Sequence, residues 1–170
     1  MAPRLHQRAA RDARGHDARS CAAAHHRRVK RIDTASHPET AGRHGQVVII
    51  VEDDGGLRAA LKRVLSAWGF ETKAYASAEA ALADHDLDWP DCLVVDLNLP
   101  AMSGLDLVDR LRQRGVTAPA VVISAQDEAR VHDELRRRGI EYFLPKPFLG
   151  SALVRTVDAA LEERPGDRLP

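Results

Sequence analysis

Long apolar runs and cysteines are scarce in this chain of 170 residues. No stretch approaches the roughly 18 consecutive apolar residues that a membrane span requires. The amino terminus is basic but lacks the apolar core of a secretory signal, so we expect a cytoplasmic protein with no membrane contact. The two cysteines, Cys21 and Cys92, lie in a polar segment and in an apolar run. That placement favours reduced thiols in the cytoplasm.

Motifs for nucleotides and for zinc are also missing. Neither GxGxxG nor GxxxxGK[ST] occurs in the chain, so the sequence does not support a nucleotide-phosphate loop. Cys21, His25 and His26 lie close together but lack a second pair of ligands. Because a structural zinc site needs four ligands, we favour a solvated segment over a metal site there.

Residues 1–46 differ in composition from the rest of the chain. They hold ten Arg and Lys, four Asp and Glu and six of the eight histidines, whereas residues 47–170 hold fifteen basic and twenty-one acidic residues. Few apolar side chains larger than alanine occur in this segment, which predicts a disordered basic tail. A basic arm for nucleic acid or an acidic partner is the alternative reading. Since residues 1–46 contain no aromatic residue for base stacking, we expect no direct nucleic-acid binding.

A third reading of this segment is that the biological start lies downstream, at Val29 or Val47. Residues 1–46 would then be an artefact of the assigned start site. Sequencing of the native amino terminus distinguishes this reading from the tail.

From Val47 onward, short β-branched runs alternate with apolar residues at helical spacing. Such alternation predicts right-handed crossovers and a five-stranded parallel sheet with helices on both faces, a doubly wound α/β domain over 47–163. Residues 164–170 are predicted to be a carboxyl-terminal tail. The predicted strands are 47–51, 70–74 (weaker and at an edge), 91–96, 119–123 and 141–144. The predicted helices are 57–68, 77–85, 103–111, 127–138 and 148–162.

Polar residues follow the predicted strands, at the sheet edge where doubly wound folds bind ligands. They are Glu52, Asp53 and Asp54 after the first strand, Asp96 at the end of the third, Ser124 at the end of the fourth and Lys146 after the fifth. Carboxylates packed this closely repel each other unless a proton or a cation lies among them, and their oxygens suit Mg²⁺. Asp96 beside a metal and a lysine is a candidate nucleophile toward phosphorus.

Each of these residues also has a simpler structural reading. Asp53, Asp54 and Ser124 precede helices, where Asp and Ser are favoured as caps, and Ser124 with Asp127 has capping-box spacing. Lys146 between two prolines reads alternatively as a surface charge. Their joint placement at strand ends favours a functional site.

The strings IVEDD (50–54), VDLNLPAMSG (95–104), VISA (122–125) and FLPKPF (143–148) resemble those of the response regulator receiver family. The receivers of nitrogen-fixation and nitrate-type regulators, which share the KPF string, are the most similar. The resemblance covers residues 47–163 in order and implies the flavodoxin-like receiver fold.

The resemblance implies that Asp96 accepts the phosphoryl group. Asp53 would then bind Mg²⁺ directly, Glu52 mainly through water, and the carbonyl oxygen of Asn98 would be a further ligand. The remaining implied site residues are Ser124 and Lys146, which would hold the phosphoryl group, and Phe143, the switch aromatic. The Lys146–Pro147 peptide would be cis. The first acid is Glu rather than Asp, and the hydroxyl is Ser rather than Thr; the family accepts both.

The family's activity implies that a phosphohistidine on a histidine kinase or histidine phosphotransfer protein is the donor. The chain would be a signalling switch rather than an enzyme, with intrinsic Mg²⁺-dependent autophosphorylation and autodephosphorylation. A downstream protein would read the signal, and a homodimer would form through the last two helices and last strand, where Val131, Leu135 and 136–138 lie. We read the arginine run 136–138 as a solvated helix end. Because seven residues follow Glu163, we expect no attached output domain.

Two other classes compete with this interpretation. A phosphohydrolase of the haloacid dehalogenase type needs a second aspartate two residues after the nucleophile, and position 98 is Asn. A receiver-like interaction module that has lost its chemistry would not need to retain the acids, the hydroxyl and the lysine.

Overall fold

The computed structural model describes residues 43, 45–84, 89–126 and 128–163. The predictions for Cys21, His25, His26 and the tail 164–170 lie outside these residues. Within the described part of the chain, no helix is long and apolar enough to span a membrane.

Five parallel strands form one sheet, as the alternation of apolar runs predicts. In chain order they are β1 (Val47–Val51), β2 (Glu71–Tyr75), β3 (Cys92–Asp96), β4 (Ala120–Ser124) and β5 (Tyr142–Pro145). Their order across the sheet is β2-β1-β3-β4-β5. The weaker strand β2 occupies an edge, as predicted, and its residues are less buried than those of the central strands.

Five helices connect and follow the strands: α1 (Gly55–Ala67), α2 (Ala78–Ala83), α3 (Gly104–Gln113), α4 (Glu128–Arg137) and α5 (Gly150–Glu162). Helices α1, α2 and α3 are capped by the side chains of Asp54, Ser77 and Ser103. The side-chain oxygen of each cap accepts a hydrogen bond from a backbone amide in the first turn of its helix, where the amides have no partner within the helix. Helix α5 begins two residues later than predicted because 146–149 still form the loop after β5. Its amino terminus has no side-chain cap.

Two apolar layers cover the two faces of the sheet. Alternate strand residues enter different layers: Ile49 and Val51 pack toward α2, α3 and α4, whereas Val48 and Ile50 pack toward α1 and α5. Strands buried on both faces explain why the sequence shows continuous β-branched runs rather than alternation. The predicted doubly wound architecture is confirmed.

The predicted dimer surface on α4 is wrong for Val131 and Leu135. Val131 and Leu135 are 7% and 0% exposed, so they belong to the core and cannot form a docking surface. Arg138 is not a free, solvated helix end either, because its guanidinium contacts Glu134, Asp106 and Asp109. Val131 and Leu135 are four residues apart on one face of α4, and the apolar face of an amphipathic helix packs against the core, as these two residues do.

Candidate functional site

Asp96 ends β3 at the carboxyl edge of the sheet, between β1 and β4. Val95 is paired with Val51 of β1, and Asp96 is paired with Ile123 of β4. This register brings Glu52, the residue after β1, to the same edge. Both acids are buried, with 5% of Asp96 and 0% of Glu52 exposed. The edge therefore holds two carboxylates that water hardly reaches.

Lys146 provides the cation between these carboxylates. Its Nζ donates to Asp96 Oδ2 at 2.7 Å and to Glu52 Oε2 at 2.9 Å. Its backbone N donates to the carbonyl oxygen of Ser124 at 2.7 Å, which ties the start of this loop to β4. The Lys146–Pro147 peptide is cis, as the resemblance implied. The lysine is thus part of the cluster and not a surface charge.

The electrostatics of the cluster shift two pKa values. Burial raises the pKa of Glu52 and the charge of Asp96 raises it further, against the hydrogen bond from Lys146. Burial opposes the charge of Lys146, but its hydrogen bonds to Asp96 and Glu52 outweigh that effect and raise the pKa of the ammonium. The lysine is therefore charged at neutral pH and screens the two acids from each other.

A third acid completes a set of hard oxygen donors. Oxygen atoms of Glu52, Asp53 and Asp96 lie within 4.8 Å of one another, and Asp53 is exposed to solvent. Lys146 balances one of the three carboxylate charges, which leaves two. Oxygen ligands with this residual charge fit a divalent cation such as Mg²⁺.

A chain of hydrogen bonds links the ends of β3 and β4 beside Asp96. Asn98 N donates to Asp96 Oδ1 at 3.1 Å, and Asn98 Nδ2 lies 3.4 Å from Ser124 Oγ. Gln126 N donates to Ser124 Oγ at 3.0 Å, and Gln126 Nε2 donates to Asn98 Oδ1 at 2.9 Å. Sequence reasoning did not identify Gln126, because nothing in the local pattern distinguishes it from a loop residue.

Arg58 is a second residue that the sequence did not reveal. Its Nη1 donates to the carbonyl oxygens of Glu52 at 2.6 Å and of Asp53 at 3.1 Å. These bonds tie the acidic loop to the first turns of α1. On sequence alone Arg58 looks like an ordinary polar residue of an amphipathic helix.

Gly104 lets α3 approach the backbone of Asp96. A Cβ at this position would lie 2.0 Å from the Asp96 carbonyl oxygen and 2.7 Å from Val95 Cγ1. Gly104 N also donates to the carbonyl oxygen of Leu97 at 3.0 Å. The loop that follows Asp96 therefore closes only with glycine here.

The prediction of a helix cap has a different outcome at each of Asp53, Asp54 and Ser124. Asp54 is a cap, since its Oδ1 accepts from Leu57 N at 2.7 Å, and it contacts the acid cluster only through its backbone N, which donates to Glu52 Oε1 at 3.2 Å. Asp53 is not the N-cap of α1 and lies in the acid cluster instead. Ser124 accepts from Gln126 N, and its suggested partner Asp127 lies outside the described residues.

Phe143 lies inside the molecule, in the layer that α2, α3 and α4 cover. The residue is 2% exposed and belongs to the same apolar cluster as Val131 and Leu135 of α4. The residue therefore lies in the apolar layer that also holds the buried residues of α4. Its role as a switch aromatic stays a prediction.

Comparison with protein families gives one match over most of this domain. A family model described as the response regulator receiver domain matches residues 48–158. Curated relatives include the response regulator protein TodT of Pseudomonas putida, 30% identical over 122 residues, with 72% of this chain and 54% of TodT covered. Nodulation protein W of Bradyrhizobium diazoefficiens is 33% identical over 116 residues, with 68% and 51% covered.

The chain spans a smaller share of some relatives. It is 30% identical over 117 residues to the C4-dicarboxylate transport transcriptional regulatory protein DctD of Pseudomonas aeruginosa, with 69% of this chain and 25% of DctD covered. The other relatives named are covered over about half of their length.

Solved structures show the same fold. The chemotaxis response regulator CheY4 of Vibrio cholerae superposes with a TM-score of 0.64 at 24% identity, covering 68% of this chain and 98% of CheY4. A receiver domain protein of Methanospirillum hungatei gives 0.65 at 20% identity, covering 70% and 95%.

Proposed function

The chain belongs to the response regulator receiver family, and we propose that it is a phosphoacceptor switch whose reacting group is the carboxylate of Asp96. The donor is a phosphohistidine on a histidine kinase or a histidine phosphotransfer protein. The observation that carries the proposal is the buried Asp96 carboxylate, which is bonded to Lys146 and adjacent to Glu52 and Asp53.

The chemistry is a displacement at phosphorus. A carboxylate oxygen of Asp96 forms a bond to the phosphorus atom, the phosphorus–nitrogen bond of the phosphohistidine breaks, and the imidazole leaves with that electron pair. The lysine ammonium is a fixed positive charge beside the carboxylate, where negative charge accumulates on the transferring oxygens. Hydrolysis of the acyl phosphate by water later restores Asp96.

The acid cluster supplies the metal site in this proposal. Glu52, Asp53 and Asp96 would hold Mg²⁺, with the carbonyl oxygen of Asn98 as a further ligand. When bound, the ion would neutralise charge on the phosphoryl oxygens. This gives the receiver intrinsic Mg²⁺-dependent autophosphorylation and autodephosphorylation without making it an enzyme that turns over a separate substrate.

Ser124 and Phe143 connect the chemistry to the surface. The Ser124 hydroxyl, which accepts from Gln126 N, would donate to a phosphoryl oxygen. That bond would move the start of the β4–α4 loop, and the packing of Phe143 in the layer that it shares with Val131 and Leu135 would change with it. Phosphorylation then biases two arrangements of the α4–β5 region.

The signal leaves through protein contacts in our proposal. Residues 47–163 form the receiver domain, acting in the cytoplasm on a downstream protein target. A homodimer would use the exposed parts of α4, β5 and α5 but not the buried Val131 and Leu135.

The test is a labelling experiment with the full chain. We expect incubation with Mg²⁺ and acetyl phosphate to add about 80 Da, the mass of HPO₃, and we expect Asp96→Asn and chelation of the metal each to abolish the addition.

The matched control is Asp54→Asn. Asp54 is an acid of the same loop, and Asn caps a helix about as well as Asp, so this variant should label like the wild type. Absence of an adduct with every donor, or labelling that persists in Asp96→Asn, would refute the proposal.

A further inference from the structure

Arg43 lies four residues before β1, inside the segment predicted to be a disordered tail, yet it is buried. Its exposed fraction is 5%, whereas arginine is rarely buried without a partner. Backbone hydrogen bonds join this segment to the sheet: Gln46 N donates to the Arg43 carbonyl oxygen at 3.1 Å, and Glu71 N donates to the Gln46 carbonyl oxygen at 2.9 Å. The folded structure therefore includes residues upstream of Val47.

The guanidinium of Arg43 occupies a site formed by the end of α1, the start of β2 and the middle of α5. Nε donates to Asp158 Oδ1 at 2.7 Å and Nη2 donates to Asp158 Oδ2 at 2.5 Å, the bidentate arrangement that suits a guanidinium and a carboxylate. Its central carbon lies 5.3 Å from the ring centroid of Trp68 and 5.5 Å from that of Phe70. Both distances are within the range of cation–π attraction.

This pair differs from the surface ion pairs of the molecule. The side chains of Arg43 and Asp158 are 6% and 14% exposed, whereas those of Arg137 and Glu134 are 71% and 35% exposed. An exposed pair contributes little to stability, but removing one partner of a desolvated pair leaves an uncompensated charge. The Arg43 site is therefore expected to affect folding measurably.

We propose that Arg43 anchors a strap, which comprises the described residues Arg43, Gly45 and Gln46, to the α1–α5 face. Trp68, Phe70 and Asp158 form an arginine site that this chain fills itself. The guanidinium packs beside Trp68 and pairs with both carboxylate oxygens of Asp158, so Asp158 is not available to a partner protein. A chain that started at Val47 would lack the anchor and leave Asp158 unpaired, whereas a start at Val29 would retain it.

The strap lies far from the proposed chemistry. Arg43 precedes β1 and Phe70 precedes β2, so the strap is at the amino edge of the sheet. Asp96 ends β3 at the carboxyl edge. Variants of Arg43 should therefore label at Asp96 like the wild type, and a failure of the strap is distinguishable from a failure of the proposed function.

The test uses the full chain with Trp89→Phe, which leaves Trp68 as the sole tryptophan. We expect Arg43→Ala to lower the melting temperature by roughly 5–10 °C, since it leaves a charge unpaired. We also expect it to increase acrylamide quenching of Trp68 fluorescence about twofold. Arg43→Lys should not restore either property, because an ammonium cannot form two parallel bonds or stack as a guanidinium does.

A double-mutant cycle with Asp158→Ala tests the pairing itself. The melting temperature of the double variant should fall by less than the sum of the decreases in the two single variants, because the two residues contact each other. Arg63→Ala, which removes an exposed arginine of α1, is the matched control and should change neither property. Additive losses, or an Arg43→Ala protein that matches Arg63→Ala, would overturn the strap.

If Arg43→Ala does not fold, the apolar pair Arg43→Met with Asp158→Leu decides the question. Recovery of a folded protein supports the arginine site, because an apolar pair of similar size replaces a buried ion pair without leaving a charge. A folded Asp158→Ala with an unchanged melting temperature would show that Arg43 acts through some other contact, and would reject the proposal.

Discussion

The Nζ atom of Lys146 and the Oδ2 atom of Asp96 are 2.7 Å apart, although 50 residues separate the two in the chain. The same ammonium is 2.9 Å from Glu52 Oε2. One cation thus holds two buried carboxylates together at the carboxyl edge of the sheet. The stability of this edge and its chemistry therefore depend on the same three side chains.

Replacing Lys146 by Met should lower the stability of the protein and slow the phosphorylation of Asp96. Without its cation the pair Glu52 and Asp96 repels, and we expect the free energy of unfolding at neutral pH to fall by about 1–3 kcal/mol in the absence of metal. Because the pKa of Lys146 is raised in the folded state, its contribution is complete below the ordinary lysine value of 10.5 and is lost as the pH rises through the raised value. Urea unfolding at neutral pH therefore measures the full effect.

Lys62→Met is the control for the Lys146 variant, since Lys62 is an exposed residue of α1. It should unfold like the wild type. Labelling by acetyl phosphate should slow in the Lys146 variant alone. Equal unfolding curves for the two variants would contradict the assigned contacts.

Magnesium binding should strengthen as the pH rises. Burial and the charge of Asp96 raise the pKa of Glu52 above the ordinary value of 4.5, so protons compete with the cation in the window that begins at 4.5 and extends upward. In that window the folded state binds more protons than the unfolded state, and stability without metal falls with rising pH. The rise in melting temperature caused by Mg²⁺ should be larger near pH ~7.5 than near pH ~5.

Asp53→Asn is the control for this pH effect. If Asp53 is a ligand, the variant should lose most of the Mg²⁺-induced rise at both pH values. A rise of the same size at both pH values in the wild type would show that Glu52 does not titrate with metal binding.

Tyr142→Phe should lower stability and flatten its dependence on alkaline pH. The hydroxyl oxygen of Tyr142 is 2.9 Å from the Ala159 carbonyl oxygen and 2.7 Å from Glu163 Oε2, and its single proton is donated to one of these two acceptors at a time. Its loss should cost about 0.5–1.5 kcal/mol. Burial and the bond to Glu163 raise the pKa of Tyr142, so its contribution is complete below the ordinary value of 10.0 and is lost as the pH rises above it.

Chemical denaturation in steps across pH ~9 to ~11 measures this alkaline loss. The wild type should lose stability more steeply than Tyr142→Phe over that interval. If the free energy of unfolding falls equally steeply with pH in both proteins, the pKa of the hydroxyl is the same in the folded and unfolded chains.

Gly104→Ala should impair the phosphoacceptor loop itself. A Cβ 2.0 Å from the Asp96 carbonyl oxygen forces backbone to move, and such overpacking costs about 1–3 kcal/mol or more. Labelling of Asp96 should fall together with stability. Gly55→Ala is the matched control, because its Cβ would meet only the end of the Arg58 side chain at 3.6 Å. Wild-type labelling by Gly104→Ala would show that the loop tolerates the shift.

The sequence by itself determined the architecture and the position of the acids. Continuous β-branched runs such as Val47–Val51 that alternate with helical segments are typical of a parallel sheet whose two faces are covered by helices. The carboxyl ends of parallel strands share one edge, so Glu52, Asp96 and Lys146 could be assigned to one site without coordinates. These features depend on local composition and chain direction, which a sequence displays directly.

Only the tertiary structure decided which side chains meet. Arg58 holds the acidic loop and Gln126 bonds Asn98, yet neither shows a local signal, because each contact depends on the rotation of an element about its own axis. The same holds for Arg43, which reaches Asp158 across 115 residues. Such contacts arise from the register and packing of distant segments, and these are set when the whole chain folds.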